Sequence, residues 1–364
     1  MKKIVGIMAA AAIATSVFAA DVSASTKLKG TLFSYDNAKT FSLLSQVNDS
    51  HDYANPNMTF SVSDDKAGAT IKLTTDGKDE AVKQTTQTIW FKPVDAVKIT
   101  VGNFDQALNK EQIKWTESAA NLGGNGFLCS VNVEGFGLDI GLEKADGDPE
   151  FWFTKKDGVD DPAILPFFIK ASYAADFGSI AGFVDFNHSG RNKIYAGHDY
   201  LFGGYGEAKF TPKDGAVSDI FFGAGYNNTF DGINVFVNVL GYMCDKFEWV
   251  RPEAYVAGSA DALSYKLFVA PTIFLDSDYK DANDKSLDLQ VLAYAQYALD
   301  ATTVYARFDD VNVLADKFES EIRFGAQGSV GGMGYNAWLQ INTGKGADKD
   351  KVDIAVPFEL TYNF

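Results

Sequence analysis

The sequence predicts an all-β protein, a transmembrane antiparallel up-and-down β-barrel of about eighteen strands, with about sixteen as the alternative count. Three observations lead there. Short segments alternate apolar and polar residues along nearly the whole chain. The chain starts with a segment of export-signal pattern. It ends on an aromatic residue that closes an alternating strand.

The start comes first. Met1-Lys2-Lys3 is a short basic head, and residues 4–20 are apolar and rich in Ala. Val17-Phe18-Ala19 places small residues at the positions a signal peptidase reads, and Val22-Ser23-Ala24 is a second such place. Residues 1–19 therefore read as a secretory signal peptide of the Sec type, with cleavage after 19 or 24. Residues 20–364 read as one domain. Thr15 and Ser16 interrupt the run, which argues against a membrane anchor, and no Cys follows it to mark a lipoprotein. No later segment approaches the ~18–20 apolar residues a spanning helix needs. The longest apolar stretch, 233–243, is broken by Asn234, Asn238 and Gly241. The remainder is soluble, or it crosses a membrane only as a closed barrel.

The strands follow in order. Met58, Phe60 and Val62 alternate with Thr59 and Ser61, and Ile71 and Leu73 come after the 64–68 turn. Val97, Ile99 and Val101 alternate with Lys98, Thr100 and Gly102. Phe127, Cys129, Val131 and Val133 lead through Glu134-Gly135 to Phe136, Leu138, Ile140 and Leu142. The same pattern returns at 167–173, 265–273, 287–296, 318–324 and 335–341. The candidates number about nineteen, and single-chain barrels carry even counts; 40–47 is a further candidate. Asp95-Ala96, Asp261-Ala262 and Asp300-Ala301 are tight turns just before new strands, where Asp can bond a backbone amide two residues on. Other connections, such as 143–166 and 276–285, are long and acidic. Short turns alternating with long loops fit a barrel, though the parity is not readable between 187 and 247.

Composition agrees with strands that face lipid on one side and water on the other. Aromatics reach 14%, with 29 Phe and 16 Tyr beside 33 Gly, while mean hydropathy is only −0.10. The formal charge is −16, and losing Lys2 and Lys3 with the signal takes it to −18. That excludes nucleic acid as a partner. It predicts a modest cation preference for any aqueous lumen. No cofactor is expected beyond Ca²⁺ at the acidic loops 146–148 and 157–161, whose spacing is not that of an EF-hand. No metal-ligating set of side chains is assigned. Cys129 and Cys244 read as unpaired, although an oxidising compartment could join them.

A soluble sandwich also alternates. Aromatics at strand ends (Trp90-Phe91, Phe104, Tyr173, Phe177, Phe308, Tyr362) suit the girdles at two lipid interfaces. Charges of both signs fall on the polar faces: Lys98, Lys170, Lys209, Arg251, Lys266, Arg307 and Arg323 beside Glu207, Glu253, Asp288, Glu319 and Glu321. A wall charge costs about 2–4 kcal/mol facing mid-bilayer lipid and little facing a wet lumen. The lumen wall is therefore assigned to Lys98, Lys170, Arg251, Glu253, Lys266, Arg307, Glu319, Glu321 and Arg323.

The last strand carries a resemblance. Val356, Phe358, Leu360, Tyr362 and Phe364 share one face, and Pro357, Glu359, Thr361 and Asn363 the other. This resembles the C-terminal assembly signal of Gram-negative outer-membrane β-barrels, with Phe358, Leu360, Tyr362 and Phe364 as its positions. The resemblance implies residence in the cell outer membrane and handling by the barrel-assembly machinery. It also implies a porin, a passive diffusion channel for small hydrophilic solutes and ions, with homo-oligomers open. In trimeric general porins the loop after the fifth strand narrows the pore. Here Val97 to Asn103 is the fifth strand, so Asp105, Glu111, Lys114 and Glu117 are the constriction candidates, although the Pro-Glu-Phe-Gly-Gly motif of enterobacterial porins is absent. The 92–96 hairpin followed by Val101-Gly102-Asn103-Phe104 is similar to spirochaete porin-like proteins. The alternative function is a surface adhesin or structural outer-membrane protein with a loop-plugged barrel. An enzyme is not expected: His51, His188 and His198 have no Ser and Asp arranged as a triad.

Overall fold

The computed structural model describes residues 21–35, 41–45, 57–75, 82–104, 124–143, 167–186, 193–194, 208–209, 219–244, 246–275, 286–310, 312–314, 320–343 and 352–363. The first strands are β1 (Asp21–Tyr35), β2 (Phe41–Ser45), β3 (Asn57–Ser63), β4 (Ala67–Thr75), β5 (Val82–Val94), β6 (Val97–Phe104) and β7 (Gly124–Val133). β8 (Phe136–Glu143), β9 (Phe167–Ala175) and β10 (Gly178–Phe186) follow, then a separate two-residue pair, β11 (Lys193–Ile194) with β12 (Ala208–Lys209). The rest are β13 (Asp219–Phe230), β14 (Ile233–Cys244), β15 (Lys246–Ala260), β16 (Leu263–Phe274), β17 (Leu287–Leu299), β18 (Thr302–Asp310), β19 (Ser320–Val330), β20 (Met333–Thr343) and β21 (Val352–Asn363). Among the described residues no helix is long and apolar enough to cross a membrane.

Sequential neighbours pair antiparallel from β3 to β10, from β10 to β13, and on to β21. β1 pairs on one edge with β21, Ser25 opposite Asn363 through Tyr35 opposite Ile354. On its other edge it pairs with β3 through residues 21–25 and with β2 through residues 31–35. The ladder that leaves β1 through β3 thus returns to it through β21. β2 and β3 share one position, so the up-and-down barrel has eighteen strands. The extra candidate at 40–47 is real as β2, but it adds no position to the ring.

Eight tight turns lie at one end: 64–66, 95–96, 134–135, 176–177, 231–232, 261–262, 300–301 and 331–332. Glu134-Gly135 and Asp231-Gly232 have positive φ at both residues (46° and 84°, 47° and 82°), the type I′ geometry whose twist matches the flanking strands. The unreadable parity between 187 and 247 has a simple cause. β14 and β15 are joined at the opposite end, the loop end, by residue 245 alone. Cys244 is therefore the last residue of β14 rather than part of a connection, and Cys129 is a free thiol.

The alternation sorts the residues cleanly. On β14, Phe236, Asn238 and Leu240 are buried while Val237 and Val239 are 45% and 49% exposed. Wherever exposure is described, no exposed strand residue carries a charge; every exposed charge sits in a turn. Water would tolerate charges on that face, and hydrocarbon would not. Phe91, Phe136, Tyr173, Phe177, Phe230, Tyr297 and Tyr362 are exposed near the turn end and form one girdle. Trp90 and Phe104, expected in a girdle, point inward instead. Trp90 lies over Gly68, where an added Cβ would sit 2.5 Å from its Nε1, and Phe104 packs against Phe168.

Candidate functional site

The inward face has two unlike arcs. The first runs from β9 to β20 and is densely packed. Register places Phe221, Tyr242, Trp249 and Phe274 side by side on β13 to β16. The Phe221 and Tyr242 rings each lie 6.0 Å from Trp249, and Phe183 meets Phe221 edge-on at 5.0 Å. A second row, nearer the turns, runs Phe236, Tyr255, Phe268 and Leu292, all buried. The same row then continues as Asp309, Glu321, Asn342 and Asp353 on β18 to β21. One ring of neighbours therefore changes from aromatic to acidic.

Six charges in this arc pair with one another. Arg307 and Arg323 face each other on β18 and β19, an unfavourable like-charge pair by itself. Glu321 offsets it: Oε1 contacts Arg323 Nε and lies 3.7 Å from Arg307 Nη1. Arg307 Nη2 also reaches Asp309. Gln340 Nε2 donates to Glu321 Oε2 at 3.3 Å, Trp338 Nε1 donates to Gln340 Oε1 at 2.9 Å, and the Arg323 guanidinium lies 5.3 Å over the Trp338 ring. A second network centres on Arg251. It donates to Glu253 Oε1 (3.1 Å), Thr272 Oγ1 (3.1 Å) and Gln290 Oε1 (2.7 Å), and Asn238 donates to Glu253 Oε2 (3.0 Å). These charged side chains are at most 3% exposed. The sequence places Arg251, Glu253, Arg307, Glu321 and Arg323 inward, as found. It expects them to face trapped water, and that is corrected: they are buried and face each other. Hydrogen-bonded pairing lets a dry wall hold them.

The second arc, β3 to β6, is open. Its inward positions carry Thr59, Ser61, Thr70, Lys72, Thr88, Trp90, Lys92 and Lys98, all partly exposed, and buried Thr100. Ser61 and Thr70 hydroxyls lie 3.2 Å apart across β3 and β4. Lys92 and Lys98 Nζ sit 5.8 and 4.7 Å from the Trp90 ring centroid. Between the arcs, Lys170 is held 3.4 Å from Asp139.

Lys98, Lys170 and Lys266 are thus inward and half-buried, as expected. Glu319 lies outside the described residues. So do Asp105, Glu111, Lys114 and Glu117, the acidic stretches at 146–148 and 157–161, and His51, His188 and His198. On β21, Phe358 and Leu360 are half-buried and Tyr362 is 44% exposed, all on the outward face opposite buried Pro357 and Glu359; Phe364 is not described. Sequence reasoning missed Asp309, Asn238, Gln290, Gln340 and Trp90. Asp309 was findable, because Arg251/Glu253, Arg307/Asp309 and Glu321/Arg323 all set opposite charges two apart on one face.

No protein-family model matches the sequence, and no curated protein sequence matches it. Solved structures do. OpdL of Pseudomonas aeruginosa superposes with TM-score 0.54 at 10% identity, covering 95% of this chain and 98% of its own. The outer membrane protein OpdK of Pseudomonas aeruginosa gives 0.53 at 7%, over 94% and 99%. A triple mutant of a Rhodopseudomonas blastica porin gives 0.46 at 14%, over 95% and 100%. At these identities the likeness establishes the fold alone, that of an outer-membrane barrel.

Proposed function

We propose that this protein is an outer-membrane porin, a passive, non-enzymatic channel for small hydrophilic solutes and ions. One observation carries the reading: an eighteen-stranded ring whose exposed strand face is free of charge wherever exposure is described, around an inward face with a polar, partly exposed arc. A charge-free exterior belongs in hydrocarbon, and a ring of this size is wide enough for water to pass. The barrel likeness to OpdL and OpdK supports the setting. The dense arc narrows the usable passage toward β3 to β6. The constriction at Asp105, Glu111, Lys114 and Glu117 is part of the same proposal, since 105–123 follows the fifth position of the ring.

The signal peptide and the assembly signal belong to it too. Cleavage after 19 keeps Asp21 to Ala24, which pair with Ser61 to Met58 on β3; cleavage after 24 would remove that pairing. Phe358, Leu360 and Tyr362 offer the outward row that the barrel-assembly machinery would read. The resemblance to spirochaete porin-like proteins rests on the 92–96 hairpin followed by Val101-Gly102-Asn103-Phe104.

The test is stepwise conductance of the purified full chain in planar bilayers, with heat-modifiable gel migration on the same preparation to show a folded barrel. A folded barrel in silent bilayers would withdraw the channel and leave the plugged adhesin or structural reading in its place.

A further inference from the structure

We infer that the passage prefers anions, against the sign of the chain's net charge and of the acids at the proposed 105–117 constriction, and that Lys92 and Lys98 beside Trp90 form its anion contact. The inference rests on the channel reading. Its first support is where charge lies. The four strands of the open arc, β3 to β6, contain Lys72, Lys83, Lys92 and Lys98 and no Asp or Glu at all, in a chain whose formal charge is −16. Among the described residues, the acids in the turns that join these strands, Asp64, Asp65 and Asp95, are exposed, and Lys66 engages Asp95.

The second support is burial. Glu253, Asp309 and Glu321 are almost wholly buried and paired with three arginines, so the named networks balance. Asp185, Glu248, Asp310, Asp353 and Glu359 are also buried, and all lie on strands outside β3 to β6. A carboxylate paired with a guanidinium presents a dipole, whose field fades faster than that of a single ammonium. Salt screens what remains beyond about 8–10 Å. A solute moving along the wet wall therefore meets lysine before it senses carboxylate.

The third support is geometry. Phe91 pairs with Ile99 just before a register shift, and the Lys92 and Lys98 ammonium groups both approach the Trp90 ring, so the two are neighbours on the inward face of β5 and β6. Like charges so placed repel. Their shared contact with Trp90 relieves that only in part, because a partly exposed cation–π contact is weak. Both ammonium groups keep donors for a third party, and a small anion is the species that would join them. Lys98 stands opposite Ser130, whose row continues to Asp139 and Lys170. There the neighbouring Lys170 is already neutralised, which leaves the Trp90 pair as the anion contact.

Reversal potential decides the matter, measured with the full chain in planar bilayers under a tenfold KCl gradient. The expected sign is that of chloride. Lys92→Gln with Lys98→Gln should lower the chloride-to-potassium permeability ratio at least twofold, whereas Lys66→Gln, in the exposed turn, should leave it unchanged. A potassium-preferring wild type overturns the inference while the channel stands, and so does an unchanged ratio in a folded double variant. If the double variant fails to fold, the wild-type sign still decides. A folded but silent wild type would remove the channel itself.

Discussion

The walls from β13 to β20 and from β3 to β6 obey the same alternation, yet they solve the problem of inward polarity differently. In the first, Arg251, Arg307 and Arg323 are buried among Glu253, Asp309 and Glu321, with Gln290, Gln340 and Asn238 adding hydrogen bonds. In the second, Thr70, Thr88, Lys72 and Lys98 keep part of their surface open. Pairing demands fixed geometry and excludes water; hydroxyls and lysines ask for neither. The dense wall is the closely packed half of the barrel, and the open wall is the half that the proposed passage would use.

Three variants would break or sharpen that contrast. The largest effect is expected at Glu321, which touches Arg323, Arg307 and Gln340. Glu321→Ala leaves buried guanidinium groups short of a partner and should cost about 3–5 kcal/mol, read as a lowered urea midpoint of the folded barrel in micelles. A change below about 1 kcal/mol would mean that water already solvates this wall. Smaller by far is Thr70→Val in the open wall. Losing the Ser61 contact should cost about 0.5–1.5 kcal/mol in the same assay, with conductance as the property that moves.

The smallest effect concerns the 64–66 turn. Lys66 and Ala67 amides both donate to Asp64 Oδ1 at 2.7 Å, and these bonds hold its carboxyl below the ordinary 3.8. A carboxyl depressed on folding contributes stability above its unfolded pKa and loses it as pH falls through the folded value. Asp64→Ala should therefore lower the midpoint slightly at neutral pH, and the difference from wild type should vanish in strong acid. A difference that persists there would assign the effect to the backbone turn rather than to the charge.

Much of this was legible. Period-two alternation named the inward residues at Lys98, Arg251, Glu253, Arg307, Glu321 and Arg323, and Asp-Ala steps marked three turns at one end. The one-residue link at 245 was not, because Asp245 stands there without a Gly or Pro beside it, while Asn234, Asn238 and Gly241 lie inside β14 and blur where the strand ends. Trp90 was read for the lipid interface because aromatic residues at strand ends usually serve there. Gly68 opposite it leaves room for the ring to lie inward.

The sequence by itself determined which face each strand residue takes and where the chain reverses, since both depend on neighbours one to three positions away. Only the tertiary structure decided whether an inward charge is wet or paired. That depends on register between strands whose connections range from one residue to more than thirty. Burial is a property of the whole ring: it follows from which side chains the closing of β1 onto β21 brings together.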